Sequence, residues 1–249
     1  MAWARTRGFS NYTEMDGGTY ASVAIALGGA VAVGDKILVG VCVAHDTDLL
    51  APTMADQLGN LYHKAKHVWD SNVSDLDGLD AYWCVVEHAG TPTITFTPNP
   101  GGTDYAYLAI WGDHLTGGDS GSTIDGAAAG QMQDTSGLAE PPDNVSTGNN
   151  APTVDGDLQW ATAIDFSSDG IINKGSAFTE GLHADGGGSS AETEWRTLAD
   201  HAAAPGLFGS SGGSQRIACI AISLTAAALG PAPIPGRVNR SVPFSLLAA

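Results

Sequence analysis

Residues 34–44 read Gly34-Asp35-Lys36-Ile37-Leu38-Val39-Gly40-Val41-Cys42-Val43-Ala44. A Gly-Asp turn leads into a run dense in β-branched residues, which is the pattern of a strand. The run is apolar at nearly every position rather than at every second one, so both of its faces are expected to be covered. Tyr105–Gly112 (YAYLAIWG) and Arg216–Leu224 (RIACIAISL) share that uniform apolarity. These three segments are expected at the centre of their sheets.

Further strands are expected at Tyr20–Leu27, Asn60–Val68, Asp80–His88, Thr93–Thr97, Leu158–Ile164, near Ala177–His183 and at Glu192–Ala199. Nowhere does a capped, 3.6-residue apolar period persist, so helices are not expected. A polar stretch runs from His114 to about Val154, too long for a plain loop in a compact domain. Short edge strands are expected within it around Ile124 and Met132. The sum is an all-β chain, an antiparallel β-sandwich with about nine or ten strands. Extended arms are expected at its ends: residues 1–19 as an N-terminal arm, 20–229 as one sandwich domain and 230–249 as a C-terminal docking arm. The Gly34-Asp35 and Gly156-Asp157 turns hint at two similar halves, but the intervening loops differ too much to read a repeat.

Several turns carry a resemblance. Gly34-Asp35 precedes an apolar strand, and Asp56-Gln57-Leu58-Gly59-Asn60-Leu61-Tyr62 follows a pattern Asp-x-x-Gly-Asn-x-Tyr. Later come Ile124-Asp125-Gly126, Gly156-Asp157-Leu158 and the closing strand Ile217–Leu224. This order resembles a jelly-roll-type β-sandwich module found in phage virion proteins and bacterial surface proteins, over roughly residues 20–225. The resemblance implies a jelly-roll-like fold. It brings no catalytic residues, because turns and strand patterns carry it.

Charge narrows the function. The formal net charge is −17, and all 27 acidic residues lie between Glu14 and Asp200. That stretch holds only Lys36, Lys64, Lys66, Lys174 and Arg196 as bases, so neither nucleic acid nor an anionic membrane surface is expected as a partner. Outside it stand Arg5, Arg7, Arg216, Arg237 and Arg240. The alternating prolines Pro231, Pro233 and Pro235 impose extended backbone on the C-terminal stretch. Arg5, Arg7, Arg237, Arg240, Phe244 and Leu246 are the candidate docking residues, for other virion proteins or for copies of the same chain in a homo-oligomer.

Candidate chemistry is sparse. Gly118-Asp119-Ser120-Gly121 resembles the turn around a chymotrypsin-like nucleophile, with His45 as a conceivable base. No glycine follows Gly121 and Ser120 is too close to His45 in sequence, so a polar turn is the better reading. His63 and His67 are expected on one strand face, with Lys64 and Lys66 on the other. Four residues of strand span roughly 13 Å, too far for the histidines to share one ion. Asp70, Asn72, Asp75 and Asp77 alternate hard oxygens and are the candidate Ca²⁺ ligands, with a solvated turn as the alternative. Trp83, Trp111 and Trp160 are expected in the core. Trp69 and Trp195, beside acidic residues, are expected exposed, as contacts for a surface glycan. Cys42, Cys84 and Cys219 sit in apolar runs and are expected as buried free thiols.

The N-terminus lacks the apolar core of a signal peptide, and no run reaches the length of a transmembrane helix. The expectation is a non-enzymatic structural protein of a phage-like virion, assembled in a host cytoplasm as a capsid decoration, fibre or tail-associated protein. A carbohydrate-binding module for host attachment is the alternative.

Overall fold

The computed structural model describes residues 2–13, 22–45, 52–69, 76–98, 107–118, 121–134, 143–153, 155–166, 171–186, 189–211 and 216–225. They form sixteen strands and no helix. The first eight are β1 (Ala4–Thr13), β2 (Val23–Ala26), β3 (Lys36–His45), β4 (Thr53–Asp56), β5 (His63–Trp69), β6 (Leu76–Val85), β7 (Thr93–Thr97) and β8 (Tyr107–Thr116). The second eight are β9 (Ala129–Asp134), β10 (Val145–Asn150), β11 (Leu158–Asp165), β12 (Ile171–Lys174), β13 (Thr179–Gly186), β14 (Ser189–Thr197), β15 (Ala204–Ser211) and β16 (Arg216–Leu224).

All pairings are antiparallel. The first half has a five-stranded sheet in the order β1-β8-β3-β6-β5 and a three-stranded sheet β2-β7-β4. The second half has β9-β16-β11-β14-β13 and β10-β15-β12. Each strand of the second half occupies the place of the strand eight earlier, so the fold is duplicated. Local detail follows the duplication. Gly34 and Gly156 both adopt positive φ, 91° and 85°. The Gly34 N–H donates to the Val86 carbonyl and the Val86 N–H to that of Asp35; Gly156, Leu198 and Asp157 repeat both bonds. Leu38 pairs with Trp83 in one half and Trp160 with Trp195 in the other.

The single sandwich expected over residues 20–229 is therefore two eight-stranded sandwiches. They pack through their five-stranded sheets, burying one core that includes Leu38, Trp111, Trp160 and Ile222. The three-stranded sheets lie outside, over separate cores containing Val39, Tyr82 and Phe96 in the first half and Ala161, Ile172 and Phe208 in the second. Across the shared core β1 meets β13, β5 meets β9, β8 meets β14, β6 meets β16 and β3 meets β11. First strand meets fifth, eighth meets sixth, and third meets its own counterpart. That reciprocity is the signature of a twofold, isologous interface, here within one chain.

The central placement of β3, β8 and β16 agrees with their uniform apolarity. β3 shows why: Leu38 and Cys42 face the shared core, while Ile37, Val39, Val41 and Val43 face the outer sheet. The N-terminal arm is corrected. Ala4–Thr13 is β1, paired with β8 along its length. Its sequence hid this because, among the strand's described side chains, Phe9 alone is buried and apolar, and charged side chains are common on edge strands. Residues 226–249, with Arg237, Arg240, Phe244 and Leu246, lie outside the described residues.

Candidate binding groove

The loop between β4 and β5 is built on Asp56. Its Oδ1 accepts the N–H groups of Leu58 (2.9 Å), Gly59 (2.9 Å) and Asn60 (3.1 Å). Its Oδ2 accepts from Asn60 Nδ2 (2.9 Å) and the Tyr62 hydroxyl (3.1 Å). Gly59 sits at φ 85°, which a side chain would resist. Asn60 then reaches the β6–β7 turn, where its Oδ1 accepts from the N–H groups of Glu87 (2.9 Å) and His88 (2.8 Å). Burial first, then the charges of Cys84 and Asp56, pushes the Tyr62 hydroxyl far above its ordinary range, so it stays a donor. With Asn60 and Tyr62 both buried, Leu61 between them is forced outward and is 61% exposed.

Leu61 does not stand alone. Val33, in the turn before β3, is 65% exposed. Both residues line a groove of about 370 Å³, together with Gly34, His63, Trp83, Glu87 and the segment Gly121–Thr123. His63 and Trp83 are cross-strand partners whose rings stack at 4.8 Å. The segment forming the wall is fixed: Thr123 N–H donates to Thr225 Oγ1 (3.1 Å) and the Ser122 hydroxyl to the Thr225 carbonyl (3.0 Å). The groove is mostly apolar, with a carboxylate and an imidazole at its rim. An apolar lining with a few polar groups is the kind that ligand-binding grooves have.

Trp83 was expected in the core and is instead half-buried, lining the groove. Trp111 and Trp160 are fully buried as expected. Trp69 and Trp195 do not make a platform. Trp69 is on β5, half-buried beside Gly78 and tilted against His67. Trp195 is on β14 of the other sheet, packed against the shared core with its indole N–H enclosed. β14 stacks on β8, three places from β5 in the sheet order, so the rings do not converge.

The two histidines also part company. A bulge between Lys64 and Lys66 shifts the register, so His63 pairs with Trp83 but His67 pairs with Asp80. Those partners point to opposite faces of β6, and the shared face expected from simple alternation is lost. His67 Nδ1 lies 2.6 Å from Asp80 Oδ1, and Lys64 Nζ 2.8 Å from Asp80 Oδ2. The second half repeats this: His183 Nδ1 lies 2.8 Å from Glu192 Oε2 at the equivalent register. Burial, reinforced by Glu180, Glu194 and Asp113, pushes the Glu192 carboxyl up to about 9. Next to it, burial pushes Glu194 up to about 8 even though it accepts the N–H groups of Gly175 (2.7 Å) and Leu207 (3.0 Å). Glu194 thereby clamps β14 to the outer sheet.

Other expected residues have framework roles or lie elsewhere. Arg5 is held by Asp113, whose second oxygen accepts the Trp160 indole N–H (2.9 Å), so it braces the shared core instead of standing free for a partner. Arg7 donates to the Ala30 carbonyl (3.5 Å). The three cysteines are free and buried, with Cys84 and Cys219 pushed up to about 12, mainly by burial. Asp70, Asn72, Asp75, Asp119 and Ser120 lie outside the described residues, and Asp77 enters as backbone of β6 alone. Among the described residues, no three His, Cys, Asp or Glu side chains gather as a metal site, and no helix could cross a membrane. No protein-family model, curated protein or solved structure matches the chain.

Proposed function

We propose that the chain is a non-enzymatic structural protein of a phage-like particle, in a decoration, fibre or tail-associated position. The observation that carries this reading is the use made of the motif residues. Asp56, Gly59, Asn60 and Tyr62 all serve the framework, tying one loop to the next turn. A resemblance carried by such residues extends to architecture and assembly, not to catalysis. The strand order of each half supports the jelly-roll part of the same resemblance. The duplicated, face-to-face build adds a second support, since it makes one block whose edge strands are left for neighbours.

The test is to purify particles from producing cells on a density gradient and quantify this chain by mass spectrometry. The expected result is co-purification at a fixed ratio to the major particle protein. Recovery only as a soluble monomer in the unassembled fraction would overturn the reading.

A further inference from the structure

The internal twofold exposes one place where the halves differ. Ala4 pairs with Thr116 at the end of β8, and Thr123 is bonded to Thr225 just past β16. Trp3 and Ser122, one residue earlier in each half, therefore hold equivalent positions. Trp3 is buried, and its indole Nε1 donates to the carbonyl of Gly156 (3.4 Å), the glycine that opens β11. The equivalent glycine, Gly34, lines the groove together with Ser122. The groove is thus the space that an indole fills in the other half. Its apolar lining includes Val33 and Leu61, the exposed large hydrophobics of the described residues.

The chain carries a segment suited to that space. Thr225 is fastened to the groove wall through Thr123 and Ser122, so the residues after it start from the rim. After five intervening residues comes Pro231-Ala232-Pro233-Ile234-Pro235, uncharged and apolar. A five-residue tether reaches up to roughly 17 Å. Alternating prolines favour the polyproline conformation, at about 3.1 Å per residue, and lose little entropy on docking. Aromatic-lined grooves are the usual receptors for such segments. Arg237 follows closely, and Glu87 at the rim offers it a counter-charge. Tethering raises the local concentration to the millimolar range, so weak contacts suffice.

We propose that Pro231–Pro235 binds in cis in the groove formed by Val33, Leu61, His63, Trp83 and Ser122. This does not rest on the particle reading. The test uses the full chain with Ile234→Cys combined with either Leu61→Cys or Ser10→Cys. Ser10 is exposed on β1, at the opposite sheet edge from β5, and the native thiols are buried. Under mild oxidation the Leu61 pair is expected to form an intramolecular disulfide at least tenfold faster than the Ser10 pair. Pro231→Gly, Pro233→Gly and Pro235→Gly together should slow it at least threefold without touching the sandwich. Ser122→Trp, which fills the groove as Trp3 fills its counterpart, should slow it at least tenfold. Equal rates for the two pairs would overturn the proposal, as would rates unchanged by the glycine variant. A disulfide found only between two chains would point to a second copy as occupant and overturn it too. So would a soluble oligosaccharide that occupies the groove of the full chain, read as a tryptophan fluorescence change that Trp83→Phe abolishes, without displacement of the tail.

Discussion

Gly40→Ala tests the seam between the halves. Gly40 lies on β3, and a Cβ there would stand 2.7 Å from Trp111 Cε2 and 2.9 Å from Thr162 Oγ1. Neither neighbour can yield cheaply. Trp111 is fully buried, and its indole N–H donates to Thr162 Oγ1 at 2.8 Å, across the shared core. One added methyl must therefore break that bond or push β3 from β11. Overpacking of this kind costs about 1–3 kcal/mol. For a chain of this size that corresponds to a Tm lowered by roughly 2–12 °C. Urea denaturation followed by tryptophan fluorescence and by circular dichroism would measure it. The two probes should coincide in one transition, because the shared core couples the halves. Trp111→Phe removes the indole atoms that the new methyl would strike. In a double-mutant cycle the pair should then be less destabilised than the sum of the singles, by about 1 kcal/mol. A Gly40→Ala midpoint within error of the parent would refute the close packing of β3 against β11.

The remaining predictions concern single features. Asp56→Ala leaves the N–H groups of Leu58 and Asn60 without their acceptor and Gly59 with only the residue-56 carbonyl, and should cost about 3 kcal/mol by urea midpoint. Glu192 and Glu194 titrate near 9 and 8 in the fold against an ordinary 4.5. Between those values the folded chain keeps protons that the unfolded chain has released, so stability should fall as pH rises from about 5 to 9 and level off above. Glu192→Gln should flatten that fall; a parent stability that climbs across the window would contradict the burial of these groups. A thiol reagent should find almost no reactive cysteine in the native chain and all three in urea, since each is buried. Rapid reaction of the native protein would count against that.

What the sequence disclosed follows from where burial is two-sided. β3, β8 and β16 are covered on both faces, so their apolar runs announce central strands without any need for register. β1 lacked that signal, being an edge strand with one buried apolar residue among its described side chains. The duplication was hidden because the shared core divides its bulk unevenly. Where one half has Leu38 the other has Trp160, and where one has Trp111 the other has Ile220. Large meets small across the twofold, which packs well and erases sequence similarity, while the Gly-Asp turns survive because backbone geometry demands them. The groove was illegible for another reason. Val33 and Leu61 come from separate loops and Ser122 from the segment between β8 and β9, so only the folded chain brings them together. The pairing of His67 with Asp80 depended on a bulge, and simple alternation cannot foresee one.

In each half the first strand pairs with the eighth, and this has a consequence for synthesis. The first sandwich cannot close its main sheet until Thr116 has emerged. Its inner face, with Leu38, Leu79 and Trp111, then has no cover until β16 is made about a hundred residues later. At about 5–20 residues per second the ribosome leaves that face bare for roughly 5–20 s. During that interval a finished half on one nascent chain presents the same surface to its neighbours on a polysome. Fusing the two sandwiches into one chain places the correct partner nearest in time, which favours closure within a chain over pairing between chains.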